Sequence, residues 1–209
     1  MNVFYAMKEI TIDLLRHGDV AAGKKLLGKT DEPLSSLGWQ QLHSTTSHKT
    51  LSWNKIISSP LQRCGAFAVE LAEKLSVPLE FNTQFEEMNF GQWDGQLFSD
   101  LYNGMEAEQL FQFMQAPESI SPPNGESYIA FELRVITAWQ ALLSTLHEQQ
   151  IQHCLLVTHA GVIRTIMSHV LGFPSTSLFL LEVPYACISR VKQYENYPPR
   201  LISHGGGQY

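Results

Sequence analysis

Ile10-Thr11-Ile12-Asp13-Leu14-Leu15-Arg16-His17-Gly18 is a short apolar run that ends in two ring- or guanidine-bearing side chains and a glycine. A run of this length, closed by a glycine, predicts a strand over residues 10–15 (ITIDLL). Similar runs occur at residues 55–58 (KIIS) and 153–158 (HCLLVT), followed by two later candidates at 177–183 and 186–191. Helical patterns lie between them. Residues 61–75 carry Phe67, Leu71 and Leu75 four apart. Residues 127–149 carry Ile129, Leu133, Ile136, Trp139, Leu143 and Leu146 at spacings of three and four, as one buried face requires. Strands alternating with helices predict an α/β fold, with a mostly parallel central sheet flanked by helices on both faces.

The composition agrees with one globular domain over residues 1–209. Apolar residues make up 44% and charged residues 16%, which is ordinary for a packed core and excludes disorder as the default. The formal net charge is -6, the wrong sign for a general binder of nucleic acid or of an anionic membrane. Cys64, Cys154 and Cys187 are few, odd in number and far apart, which fits neither a disulfide framework nor a cysteine zinc site. No run of about 18 apolar residues is present, and the start, MNVFYAMKEI, lacks the layout of a secretory leader. The expected location is cytoplasmic. The glycine-rich tail at 205–209 is expected to lie outside the fold.

Residues 75–133 differ from the rest. They hold ten carboxylates and no Lys or Arg, and ten of the 22 aromatic residues, among them Phe85, Phe90, Trp93, Phe98, Tyr102 and Phe111. The expectation is an inserted, mainly helical lid that ends at the turn Ser121-Pro122-Pro123-Asn124-Gly125. Most of its aromatics are expected to be core and most of its acids a solvated face. If the lid borders a ligand pocket, its acids should repel a polyanion such as a nucleoside triphosphate. Trp93, Phe90 or Tyr102 could then stack on a flat base.

Three strand ends should converge. The first ends in Arg16-His17-Gly18 and the second in Ser58-Ser59-Pro60-Leu61-Gln62-Arg63, where Ser59 is a candidate helix N-cap. The third ends in Thr158-His159-Ala160-Gly161, before a helix to about Leu171. Ligands of open α/β sheets bind outside the carboxyl ends of the strands, so these side chains should meet on one rim beside helix N-termini that favour an anion. Two arginines and a protonated histidine would match a phosphoryl dianion, and a second, neutral histidine could attack phosphorus. The remaining histidines (His43, His48, His147, His153, His169 and His204) read as surface or packing residues.

LLRHGD, SSPLQRC, EEMNFGQWDG and VTHAGVIR, in this order, resemble the histidine phosphatase superfamily, the phosphoglycerate mutase-like fold, over residues of about 10–195. The resemblance implies that His17 is the nucleophile, becoming phosphohistidine. It also implies that Arg16 and Arg63 bind phosphate and that His159 stabilises the transferring group. Glu87, four residues before Gly91, matches the proton donor, with the adjacent Glu86 as the alternative. On this reading Glu87 protonates the departing alcohol and then activates water. No metal and no cofactor are implied, and the expected partner is a small-molecule phosphomonoester.

Gly28-Lys29-Thr30-Asp31-Glu32-Pro33-Leu34, the segment around Glu87, and Asn124-Gly125-Glu126-Ser127 are similar to the α-ribazole phosphatase branch, which acts in cobalamin biosynthesis. A phosphoglycerate mutase usually has a Glu-Arg-His-Tyr-Gly segment, where this chain has Met88 and Asn89. Many members carry an asparagine six residues after the nucleophile, where this chain has Gly23. The alternatives are a broad-specificity phosphatase of the same fold, a mutase, or a silent phosphate-binding module.

Overall fold

A computed structural model describes residues 9–47, 52–195 and 197–205. The residues before Glu9, His48 and the last four of the tail lie outside it. The core is a six-stranded sheet, ordered β3-β2-β4-β1-β5-β6. β1 (Glu9–Arg16), β2 (Lys55–Ser58), β3 (Leu79–Phe81) and β4 (His153–Thr158) run parallel, and β5 (Ile188–Tyr194) and β6 (Arg200–His204) form an antiparallel edge.

Both faces of β1, β2 and β4 are largely buried, which is why they read as near-continuous apolar runs, whereas the edge strand β3 is mostly exposed. Successive side chains point to opposite faces. Ile12, Leu14, Ile57 and Leu156 join one core cluster, and Leu15, Ile56, Leu155 and Val157 join the other. α5 (Tyr128–Glu148) and α6 (Ala160–Leu171) supply the first cluster, while α1 (Ser36–Thr46) and α2 (Gln62–Leu75) supply the second. The α/β architecture with helices on both faces is therefore the one the sequence pattern predicts.

Several local expectations are corrected. Residues 177–183 are not a strand, because Ser175–Leu180 is a 3-10 turn that buries Leu178 and exposes Leu180. The strand expected from 186 begins at Ile188, since Ala186 takes a positive φ of 54°. On α5, Ile129 and Leu133 are exposed. A competing stripe, Phe131, Val135, Trp139, Leu142 and Leu146, faces the sheet. α5 is long and apolar enough to cross a membrane by length and composition, but that stripe makes it a helix of the core.

The insert is also shorter than residues 75–133. Leu79–Phe81 pairs in parallel with β2, so the lid expected from 75 leaves the sheet only after Phe81. From there the chain makes short 3-10 turns, α3 (Phe98–Asn103) and α4 (Ala107–Gln115) before α5. Phe85 and Trp93 are fully buried, whereas Phe98, Tyr102 and Phe111 are exposed.

Candidate active site

The parallel strands deliver their carboxyl ends to one rim, as expected. β1 ends at Arg16, and the next residue, His17, continues the pairing through its N–H to the Thr158 carbonyl at 3.0 Å. His17 is thus fixed by backbone on both sides, since its own carbonyl accepts from Ala186 N–H at 3.1 Å. Its ring Nδ1 lies 2.8 Å from the Gly18 carbonyl. A carbonyl can only accept, so Nδ1 carries the proton and Nε2 is left with a lone pair. Burial, then the charges of Arg16 and Arg63, hold the His17 pKa well below its usual value. The ring is therefore neutral at neutral pH, the form a nucleophile needs.

Behind it stands His159, whose ring centroid is 5.3 Å from that of His17. His159 Nε2 lies 2.8 Å from Ser59 Oγ, and its Nδ1 accepts from Arg63 Nε at 3.2 Å. Arginine can only donate, so His159 is a neutral Nε2–H tautomer. Burial and the Arg63 charge also push its pKa well below the usual value. The protonated histidine expected from the sequence is thus a neutral one in the structure. A bound phosphoryl dianion would push its pKa back up.

Arg63 is fully buried on the second residue of α2. Its Nη1 donates to the Thr30 carbonyl at 2.8 Å and its Nη2 to the Gly28 carbonyl at 2.7 Å. It ties the 28–30 loop to His159. Ser59 does not cap α2, whose N-cap residue is Leu61; instead Asp31 accepts from Gln62 N–H at 2.6 Å, and the Ser59 hydroxyl serves His159. The N-cap falls two residues after Ser59, whose hydroxyl reaches the N–H of Leu61 at 3.4 Å but not those of the helix.

Arg16, His17 and Glu87 line one cavity; Arg63 and His159 lie beside it and do not. Arg16 donates through Nη1 to the Val183 carbonyl at 2.6 Å and stacks on the Tyr185 ring at 4.0 Å. Its Nε is buried and has no partner among the described residues, a donor suited to an anion. Glu87 Oε2 accepts from Gly161 N–H, in the first turn of α6, at 3.0 Å. A Cβ on Gly161 would stand 2.2 Å from Glu87 Oε1, so only glycine permits this approach. Glu86 points elsewhere, pairing with Lys29 on the outer side of the loop.

The cavity continues between Phe90, Phe113, Tyr128, Phe131 and Phe179, with Lys25 and Arg164 also on its wall. Arg164 donates from Nε to the Leu181 carbonyl at 2.9 Å. Sequence reasoning gave it no role, although it closes VTHAGVIR. Of the ten carboxylates of 75–133, Glu87 alone lines the cavity, beside three cations. The expected repulsion of polyanions therefore drops out. Of the proposed stacking residues only Phe90 lines the cavity; Trp93 is buried, and Tyr102 lies on a separate surface groove. Gly23 is exposed with open space around its Cβ position. Among the described residues, no three His, Cys, Asp or Glu side chains gather as a metal site.

Comparison with known proteins agrees with this geometry. The family model described as Histidine phosphatase superfamily (branch 1) matches residues 12–204. The adenosylcobalamin/alpha-ribazole phosphatase of Escherichia coli K12 is 27% identical over 182 residues, covering 85% of this chain and 87% of that protein. The Escherichia fergusonii protein named "Probable phosphoglycerate mutase GpmB" is 28% identical over 190 residues, covering 90% of this chain and 86% of its own length. Among solved structures, the alpha-ribazole phosphatase from Shigella flexneri superposes with a TM-score of 0.80 at 25% identity, covering 94% of this chain and 96% of that one.

Proposed function

The chain belongs to the histidine phosphatase superfamily, and from that premise we propose that it is a phosphomonoesterase that works through a phosphohistidine on His17. One observation carries the reading: a neutral, backbone-locked imidazole with a free Nε2 shares a cavity with a carboxyl group and an unpartnered arginine donor. In the first step His17 Nε2 attacks phosphorus, the P–O bond to the alcohol breaks, and Glu87 gives its proton to the departing oxygen. In the second, Glu87 takes a proton from water as the water attacks the phosphohistidine, which releases inorganic phosphate and restores both residues. Arg16 and Arg63, with His159, meet the charge on the equatorial oxygens. Arg63 does so by exchanging a loop carbonyl for a phosphate oxygen. No step calls for a metal or a cofactor. The three cysteines are free and buried, which suits a cytoplasmic setting.

For the substrate we favour α-ribazole 5′-phosphate, and so a place in cobalamin biosynthesis. The names of relatives support it, as do the Phe90, Phe113, Phe131 and Phe179 rings that would flank a flat, weakly polar base. A broad-specificity phosphatase is the second reading. Lys25 and Arg164 on the same wall favour it, since they could take a further anionic group on other esters. A panel of phosphomonoesters with chelator present tests both. Loss of all activity in chelator overturns the mechanism. A kcat/KM for α-ribazole 5′-phosphate no higher than for unrelated esters overturns the substrate choice and leaves the broad reading.

A further inference from the structure

Glu87 can protonate a departing oxygen only if its carboxyl stays at the point where the alcohol leaves. The segment that carries it has little regular structure of its own, one 3-10 turn at Thr83–Phe85 and then extended chain. Besides Thr158 Oγ1 of β4, which donates to the Phe85 carbonyl at 2.8 Å, one side chain from another element grips it at several points. Arg134, on α5, donates through Nη1 to the carbonyls of Gln84 at 2.7 Å and Glu86 at 3.0 Å, and through Nη2 to the carbonyl of Glu87 at 3.1 Å.

The same guanidinium forks onto Glu126, Nε to Oε1 at 2.8 Å and Nη2 to Oε2 at 3.0 Å. Glu126 then holds the other side of the acid. Its Oε2 accepts from Asn89 N–H at 3.2 Å, and its own N–H donates to the Asn89 carbonyl at 2.8 Å. The 121–127 turn presses onto this loop so closely that a Cβ on Gly91 would stand 2.2 Å from the Pro123 carbonyl. Glu87 is therefore clamped at its own carbonyl and at those of 84 and 86 before it, and at residue 89 after it. The clamp is anchored to the core through α5, where Phe131 and Val135 flank Arg134 and are buried.

We propose that Arg134, braced by Glu126, is the positioning residue for the general acid of this site, an inference that rests on the phosphatase reading above. A planar fork is needed because three carbonyls and a carboxylate are met at once; an ammonium carries the charge but cannot span them.

The experiment compares kcat/KM of the wild type, Arg134→Lys and Glu126→Gln on two esters. The leaving group of 2,4-dinitrophenyl phosphate needs no proton, whereas that of glycerol phosphate does. This ratio reports the steps up to departure of the alcohol, so a slow second step common to both esters does not mask the result. The expected outcome is a loss of about tenfold or more on glycerol phosphate and under about threefold on the dinitrophenyl ester. A smaller loss of the same pattern is expected for Glu126→Gln. Thermal melts establish which variants are folded, and if Arg134→Lys is not, Glu126→Gln decides. Equal losses on the two esters, or no loss on either, overturn the proposal while the phosphatase reading stands. A wild type that hydrolyses neither of these esters nor α-ribazole 5′-phosphate overturns that reading, and this proposal with it.

Discussion

The two halves of the site are held by different means. On the nucleophile side, Arg16 and His17 stand at the end of β1, where ladder bonds fix their backbone as they fix the sheet; the ring of His159, the residue after β4, is held by the Ser59 and Arg63 side chains. The acid side, Glu87, stands on an insert and is held mostly by side chains: Arg134, Glu126, and the Thr158 hydroxyl on the Phe85 carbonyl at 2.8 Å, joined by the N–H groups of Gly161, Met88 and Glu126. Backbone-held groups tolerate side-chain changes around them, and tethered groups do not. His17 should therefore be lost only by removing its chemistry, and Glu87 also by disturbing its supports.

The largest effect tests the sheet-held half. His17→Ala is expected to lower kcat/KM by about 10³-fold or more on every ester, because nothing else nearby can replace its lone pair. Wild type quenched in alkali should carry an alkali-stable, acid-labile phosphate that the variant lacks. A phosphoprotein that persists in His17→Ala places the nucleophile elsewhere. Next comes Glu87→Gln, which keeps the shape and removes the proton. The expected loss is about 10²-fold to 10⁴-fold on an alkyl phosphate, with little change on a dinitrophenyl ester. An equal loss on both would mean that the insert does not supply the acid.

Gly161→Ala sharpens the contrast further, because the two halves touch there. The added Cβ would meet Glu87 Oε1 at 2.2 Å, so the carboxyl must move. Displacing a reacting group by about 1 Å is enough to cost about 10²-fold in rate. Gly161 also lies in the first turn of α6, where alanine is the better helix former by up to about 1 kcal/mol. The expected signature is an unchanged or raised melting temperature with a lowered kcat/KM on alkyl esters. Unchanged turnover would show that the carboxyl can rotate away from the new Cβ and still deliver its proton, so that this contact does not set its position.

The contrast also explains what the sequence made legible. Strand ends are local: an apolar run, then Arg16-His17-Gly18 or Thr158-His159-Ala160-Gly161, can be read without knowing the rest of the fold. The acid was located only by its distance to Gly91, and its supports had no local pattern. Arg134 did leave a trace, as the first basic residue after the stretch 75–133 that has none. A lone cation closing such a gap has many carboxylates to pair with and deserved a role. The helix face of α5 was misread at Ile129 and Leu133 because that helix is apolar on more than one side, so periodicity alone could not choose between stripes. Ser59 differs from its expected role because α2 starts two residues later than a cap there requires, which leaves its hydroxyl to Leu61 N–H and, more closely, to His159.

The smallest effect on rate, and a separate one on stability, comes from below the site. Asp13, in β1 three residues before Arg16, is fully buried. Arg190 on β5 grips it through Nε and Nη2 at 2.8 and 2.9 Å, His153 on β4 meets it at 2.8 Å, and Trp53 Nε1 donates at 2.9 Å. Burial alone would raise its pKa, but these partners together bring it from 3.8 down to about 2. The folded state then releases this proton more readily than the unfolded one. Its contribution is complete above the unfolded value and is lost as pH falls from about 4 towards 2. At 1.36 kcal/mol per pKa unit, that contribution is about 2 kcal/mol. Denaturant melts from pH 6 to pH 2 should show this fall in the wild type and a shallower one in Asp13→Asn, which has no carboxylate there to titrate. Turnover by folded Asp13→Asn at neutral pH should change little, since the ladder bonds that place His17 do not pass through that side chain. A large loss of turnover in the folded variant would show that the backbone-held half also depends on a side-chain brace, and the distinction between the two halves would fail.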